Sequence, residues 1–153
     1  MTTRVLFLGT ANAGRSQMAE ALLRQHAGDR FEAYSAGLAP VEIHPLTLRV
    51  LAEAGVDVQG LRPKNVDEYL GKRHFGYVIT VCNWAEQNCP TAFLSMGQRM
   101  HWSLEDPLKF RGTEEETLAA FRRICAETDQ IIQTWLAEQL RTRDWEYVRK
   151  THV

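Results

Sequence analysis

Val5-Leu6-Phe7-Leu8-Gly9-Thr10-Ala11-Asn12-Ala13-Gly14-Arg15-Ser16-Gln17-Met18 is the stretch that decides the fold. Its first four residues form an unbroken apolar run, the pattern of a strand covered on both faces. Residues 9–14 are all small, so no bulky side chain fills the turn. A helix is expected over 16–27, with Met18, Ala21, Leu22 and His26 on one side and Gly28 stopping it. Outward from this unit, 31–34 reads as a second strand, and Pro45 opens a helix that reaches Ala54 before Gly55. A short helix is expected from Asn65 or Val66 to Leu70. Residues 75–81 make the clearest strand, rich in β-branched and aromatic side chains, and 99–102 a weaker one. Thr113 with Glu116 three residues on is a capping box, and Leu118, Phe121, Cys125, Ile132 and Trp135 follow at helical spacing. Strands alternating with helices predict an α/β fold, a three-layer sandwich of a four-stranded parallel sheet flanked by helices. Such sheets bind ligands beyond the carboxyl ends of their strands, where the turns after Leu8 and Val81 both fall.

The 153 residues, 44% hydrophobic and 24% charged, suit one compact domain rather than a disordered or fibrous chain. Eighteen basic against nineteen acidic residues leave a net charge of −1, which gives no electrostatic case for nucleic acid or an anionic membrane. No apolar run is long enough to span a bilayer, and the start lacks the apolar length of a signal peptide. Three cysteines, Cys82, Cys89 and Cys125, are too few and too odd for a disulfide scaffold. A cytoplasmic protein is expected.

A strand, a turn of small residues, then Arg15-Ser16 opening a helix suits oxyanion binding. Amides at a helix start lack intrahelical partners, and the helix dipole adds positive charge there. Successive amides can form an anion nest, and Arg15 can close it with a two-pronged contact. The other reading, a small-residue turn in which Arg15 only forms a salt bridge, stays open.

The stretch from Val5 to Glu20 resembles the signature of low-molecular-weight protein tyrosine phosphatases and thioredoxin-coupled arsenate reductases. Tyr34-Ser35-Ala36-Gly37, Val78-Ile79-Thr80-Val81-Cys82, Asn88-Cys89-Pro90 and Trp102-Ser103-Leu104-Glu105-Asp106-Pro107 extend the likeness from residue 4 to about 137. That leaves 1–140 as the domain and 141–153 as a C-terminal extension. Cys82 with Cys89 favours the arsenate reductase branch. The resemblance implies an oxyanion seat made by Gly9, Thr10, Ala11, Asn12, Ala13, Gly14, Arg15 and Ser16, for phosphate, sulfate or arsenate. It assigns Cys82 to the expulsion of reduced arsenic, Cys89 to resolving the resulting disulfide, and Asp106 to the role of general acid. Thioredoxin would be the reductant if the pair is redox-active, and no cofactor or metal is implied.

One position departs from this pattern. The nucleophilic cysteine of the family falls at Gly9, six residues before Arg15, and glycine has no side chain with which to attack. Thr10 and Ser16 carry hydroxyls with no base beside them in the sequence, and Ala13-Gly14 also differs from the usual Ser-Cys or Ser-Ala. A binding protein without turnover is therefore expected, against the alternative of an active reductase or phosphatase working through Cys82 and Cys89. The two thiols are also open to reading as small hydrophobes or as soft ligands for trivalent arsenic. Their spacing is poor for zinc. Asp106-Pro107 by itself also reads as the start of a turn. Cys125 falls on an apolar stripe and is expected in the core, and no two of His26, His44, His74, His101 and His152 have ligand spacing. In the basic tail, Trp145 and Tyr147 are expected to pack along a helix extension rather than to contact nucleic acid.

Overall fold

The computed structural model describes residues 2–90 and 97–151, with backbone alone at 140 and 142–151. Strand β1 (Thr3–Gly9) lies between β2 (Phe31–Gly37) and β3 (Tyr77–Thr80), and β4 (Gln98–His101) extends the sheet beyond β3. All pairings are parallel, with Val5 opposite Ala33 on one side and Tyr77 on the other. Successive strand residues face opposite ways. Val5, Phe7 and Ile79 pack against α1 (Arg15–Ala27), α2 (Pro45–Glu53) and α4 (Glu114–Thr151) through Met18, Leu51 and Phe121. Leu6, Leu8 and Val78 face a thinner layer that holds Val66, Tyr69, Phe75 and Ala85. Residues 5–8 are fully buried on both faces, which is why their sequence shows no alternation.

The α/β sandwich expected from the sequence is present. Thr113 and Glu116 form the capping box: the Glu116 N–H donates to Thr113 Oγ1 at 3.1 Å and the Thr113 N–H to Glu116 Oε1 at 3.3 Å. Phe121, Cys125, Ile132 and Trp135 are buried along α4, with Leu118 partly buried beside them. Pro45 opens α2, and the His44 ring caps it by accepting the Leu46 N–H at 3.1 Å.

Several boundaries differ. β2 runs three residues past Tyr34 because Gly37 admits the neighbouring chain: a Cβ there would lie 2.6 Å from the Thr10 carbonyl oxygen. The helix expected to reach Leu70 is one 3-10 turn, Val66–Glu68, and β3 covers only the centre of the run expected as a strand. His26 does not share the apolar side of α1. It is exposed and meets Asp129 of α4 at 2.5 Å. A short helix, α3 (Asn83–Gln87), was not foreseen. α4 continues through residue 140 to Thr151, and the packing expected of Trp145 and Tyr147 lies outside the described side chains. Among the described residues no helix is long and apolar enough to cross a membrane.

Candidate functional site

The chain leaves β1 at Gly9 and re-enters regular structure at Arg15, and the turn between is held by its carbonyl groups. Gly9, Thr10 and Ala11 accept from the N–H groups of Leu38, Ala39 and Val41 at 3.2, 2.8 and 3.0 Å. Ala13 accepts from the His44 N–H and the Thr47 hydroxyl, and Gly14 from the Met18 N–H. Asn12, the one non-glycine residue with left-handed backbone among those described (φ 52°), offers its carbonyl to Gln17 Nε2 at 3.0 Å. With the carbonyls so committed, the N–H groups of residues 10–16 have no acceptor among the described residues. The N-terminus of α1 carries no side-chain cap and no acidic residue in its first turn. Unpaired amides and an uncompensated helix dipole therefore meet at one place, which is a seat for negative charge.

These residues line a cleft of about 530 Å³, whose far wall includes Cys82, Trp84, Leu104, Asp106 and Lys109. Arg15 lines it too, with its side chain 12% exposed. Its Nη1 donates to the carbonyls of Val81 at 3.1 Å and Leu104 at 2.8 Å, and Nη2 lies 3.3 Å from Asp106 Oδ2. A guanidinium has five N–H donors, so the Nε edge keeps donors for a ligand. Arg15 thus forms a salt bridge and also lines the cleft. Asp106 starts the turn Pro107–Lys109, its Oδ1 accepting the Leu108 N–H at 3.0 Å, while Oδ2 faces Arg15.

Gly9 forms the end of the strand at the cleft. Its backbone is not left-handed, and a Cβ built there would meet Ser16 Oγ at 3.3 Å and Val81 Cγ2 at 3.5 Å. A small side chain therefore fits with a slight shift of the Ser16 hydroxyl. Cys82 Sγ lies 3.1 Å from Thr10 Oγ1 and accepts the Ala85 N–H at 3.3 Å, capping α3. Cys89 packs at the edge of the same apolar cluster without lining the cleft, and burial pushes its thiol pKa up. Cys125 lies in the main core, where burial raises its pKa to about 11. All three cysteines are free thiols.

Sequence reasoning missed the layer behind the loop. Asn12 Nδ2 donates to Ser16 Oγ at 2.9 Å and Ser35 Oγ at 3.0 Å, so this side chain is turned into the protein. Ser35 in turn donates to Glu20 Oε1 at 2.9 Å, and the same oxygen takes Lys64 Nζ at 3.1 Å. Lys64 and Glu20 are 5% and 4% exposed, a buried ion pair, and desolvation lowers the lysine pKa against the pull of Glu20. No local pattern marks these residues, since Lys64 comes from a loop and Glu20 from the middle of α1. Of the histidines, His101 bonds Thr80 and Asn83, and His44 serves as a cap. Among the described residues no group of three or more His, Cys, Asp or Glu could hold a metal ion.

This strand–turn–helix with its arginine is embedded in a wider likeness: residues 4–145 match the low molecular weight phosphotyrosine protein phosphatase family. The chain belongs to that family. Within it, an arsenate reductase of Halalkalibacterium halodurans is 36% identical over 131 residues, 86% of this chain and 93% of that protein. A solved structure of an arsenate reductase in the phosphate binding state has a TM-score of 0.74 at 24% identity, covering 90% of this chain and 98% of the other. A thioredoxin-dependent arsenate reductase of Corynebacterium glutamicum has a TM-score of 0.58 at 33% identity, over 87% of this chain and 63% of that one. The relatives place this family member on the arsenate reductase branch.

Proposed function

We propose that the protein is a receptor for a tetrahedral oxyanion, arsenate or phosphate, that lacks the nucleophile for the reaction of its relatives. The observation that carries this reading is the pairing of an intact seat with Gly9. The amides of residues 10–16 have no acceptor among the described residues and Arg15 lines the same cleft, yet the strand end offers no thiol. A similar structure is that of an arsenate reductase in the phosphate binding state, which supports phosphate and arsenate as ligands. A thiolate beside the seat would repel a dianion, so its absence favours tight binding. Thr10 does not replace it: its hydroxyl is engaged with Cys82 Sγ, and no carboxylate or imidazole among the described residues is hydrogen-bonded to it. Asp106 then serves to hold Arg15 rather than to deliver a proton.

The alternative is turnover through Cys82, and the observation in its favour is that this sulfur lines the cleft and accepts an amide N–H. The relative from Corynebacterium glutamicum is thioredoxin-dependent, so thioredoxin is the reductant to supply. Arsenate reduction assayed with thioredoxin separates the two. The native chain is expected to be inert, and Gly9→Cys to gain activity, since a Cβ at that position has room. Native turnover abolished by Cys82→Ser would overturn the receptor reading.

A further inference from the structure

We infer that the cleft takes its oxyanion as the terminal group of a nucleoside diphosphate rather than as the free ion, with Trp84 against the base and Lys109 beside the inner phosphate. The inference deepens the receptor reading and rests on it.

The first observation is size. The cleft encloses about 530 Å³, inside the roughly 300–1,000 Å³ range of pockets that enclose whole organic molecules. A bare tetrahedral ion held by the loop amides and Arg15 leaves most of that space unused. The remainder is bounded from both ends of the loop. Trp84 belongs to α3, which borders the loop at its start, where Cys82 Sγ lies 3.1 Å from Thr10 Oγ1. Lys109 ends the turn Pro107–Lys109, which borders the loop at its close: Asp106 Oδ2 lies 3.3 Å from Arg15 Nη2, and a Cβ built on Gly14 would meet Leu108 Cγ at 3.8 Å. Both residues line the cleft, so a group attached to the bound oxyanion leaves the seat between them.

The second observation is that the protein itself uses neither side chain. Trp84 is 50% exposed, and its indole makes no ring contact or hydrogen bond with the described residues. An aromatic face left in water gains by stacking on a flat ring. The Lys109 ammonium has no hydrogen bond or ion pair among the described residues, while the carboxylate of Asp106 is committed to Arg15 and the Leu108 N–H. Beyond the seat, the cleft therefore offers one bare ring and one uncompensated cation. These two features select among molecules that carry a terminal oxyanion. A simple aryl ester would leave Lys109 without a counter-charge, and a phosphorylated sugar would leave Trp84 bare. A nucleoside diphosphate meets both, because its base stacks on an aromatic side chain and its inner phosphate, one bridging oxygen from the seat, carries the second negative charge.

Calorimetry with inorganic phosphate, phenyl phosphate, pyrophosphate and adenosine diphosphate tests this, since phenyl phosphate adds the ring alone and pyrophosphate the charge alone. Relative to phosphate, the ring is expected to gain about tenfold, as for one base stacked on an aromatic side chain. The second phosphate should gain about fivefold, as for an exposed ion pair, so that adenosine diphosphate binds about fiftyfold tighter than phosphate. Trp84→Ala should cancel the ring gain alone, and Trp84→Phe recover part of it. Lys109→Ala should cancel the charge gain alone, Lys109→Arg keep it, and added salt shrink it without touching the ring gain. Both residues are exposed, so these variants are expected to melt near the native temperature. Adenosine diphosphate that binds no tighter than phosphate, or gains that survive both alanine variants, would overturn the inference while leaving the receptor reading intact. A ring gain without a charge gain would overturn it in favour of a simple aryl ester. A native chain that binds neither phosphate nor adenosine diphosphate would remove both.

Discussion

The loop of residues 9–16 and the cysteine segment of 82–89 leave adjacent strands at the same end of the sheet, yet they are held in different ways. Every carbonyl from Gly9 to Gly14 is bonded, and a buried polar layer supports the loop from behind. The cysteine segment is a five-residue helix held mainly by side chains: Cys82 meets Thr10 and caps the helix, and Asn83 bonds His101. Glu86 accepts from the Thr80 hydroxyl and pairs with Arg99 at 3.0 Å, while Trp84 stands 50% exposed at the rim. The loop is held through its main chain at every residue, whereas the cysteine segment is held through a few side chains. On the receptor reading proposed above, this difference is why a seat persists without a thiol: the loop is shaped by main chain and buried partners, none of which needs a side chain at position 9.

The largest effect that would sharpen this contrast is expected at Arg15. Arg15→Ala removes the guanidinium edge and should weaken phosphate or arsenate about a hundredfold by calorimetry, in the range of charge-assisted hydrogen bonds. Arg15→Lys, which keeps charge without the fork, should recover only part of that loss. Affinity unchanged in Arg15→Ala would mean that the cleft binds elsewhere.

A smaller effect, on the order of 2 kcal/mol, concerns the third thiol, which belongs to neither region. Burial raises the Cys125 pKa from 9.0 to about 11. The unfolded chain therefore loses this proton while the folded chain keeps it, so stability should fall as pH rises from about 9 to 11. Urea midpoints across that range should fall less steeply in Cys125→Ala, and equal slopes would contradict the burial.

Next in size is the anchor of the cysteine segment. Glu86→Ala should release α3 and speed alkylation of Cys82 by iodoacetamide about tenfold, with phosphate affinity unchanged. A parallel loss of phosphate affinity would break the comparison, because it would show that the two regions are one unit. The smallest effect, about 1 kcal/mol, is expected from Thr113→Ala, which removes the cap of α4 on the opposite face of the sheet and should lower the melting temperature without touching the site.

The fold was legible where sequence patterns have local causes. The buried run 5–8, the proline that opens α2 and the Thr113 capping box each act through neighbours in the chain, and each is where its pattern places it. α3 was not legible because residues 83–87 carry no apolar period and their helix depends on the Cys82 cap and on Glu86 reaching across to β3 and β4. The grouping of the small-residue turn with its arginine along one cleft was legible from the strand–turn–helix pattern. The support of the loop was not: Asn12 looks like a ligand-binding side chain in the sequence, and only the fold brings it against Ser35, Gln17 and Lys64. Buried ion pairs such as Glu20 with Lys64 join residues 44 apart and leave no periodic trace.

Calorimetric titration of arsenate into the native chain is the most direct measurement. A saturable heat for one site, with the arsenate recovered unreduced when thioredoxin is supplied, is the expected result. No heat at millimolar arsenate would contradict an oxyanion receptor outright.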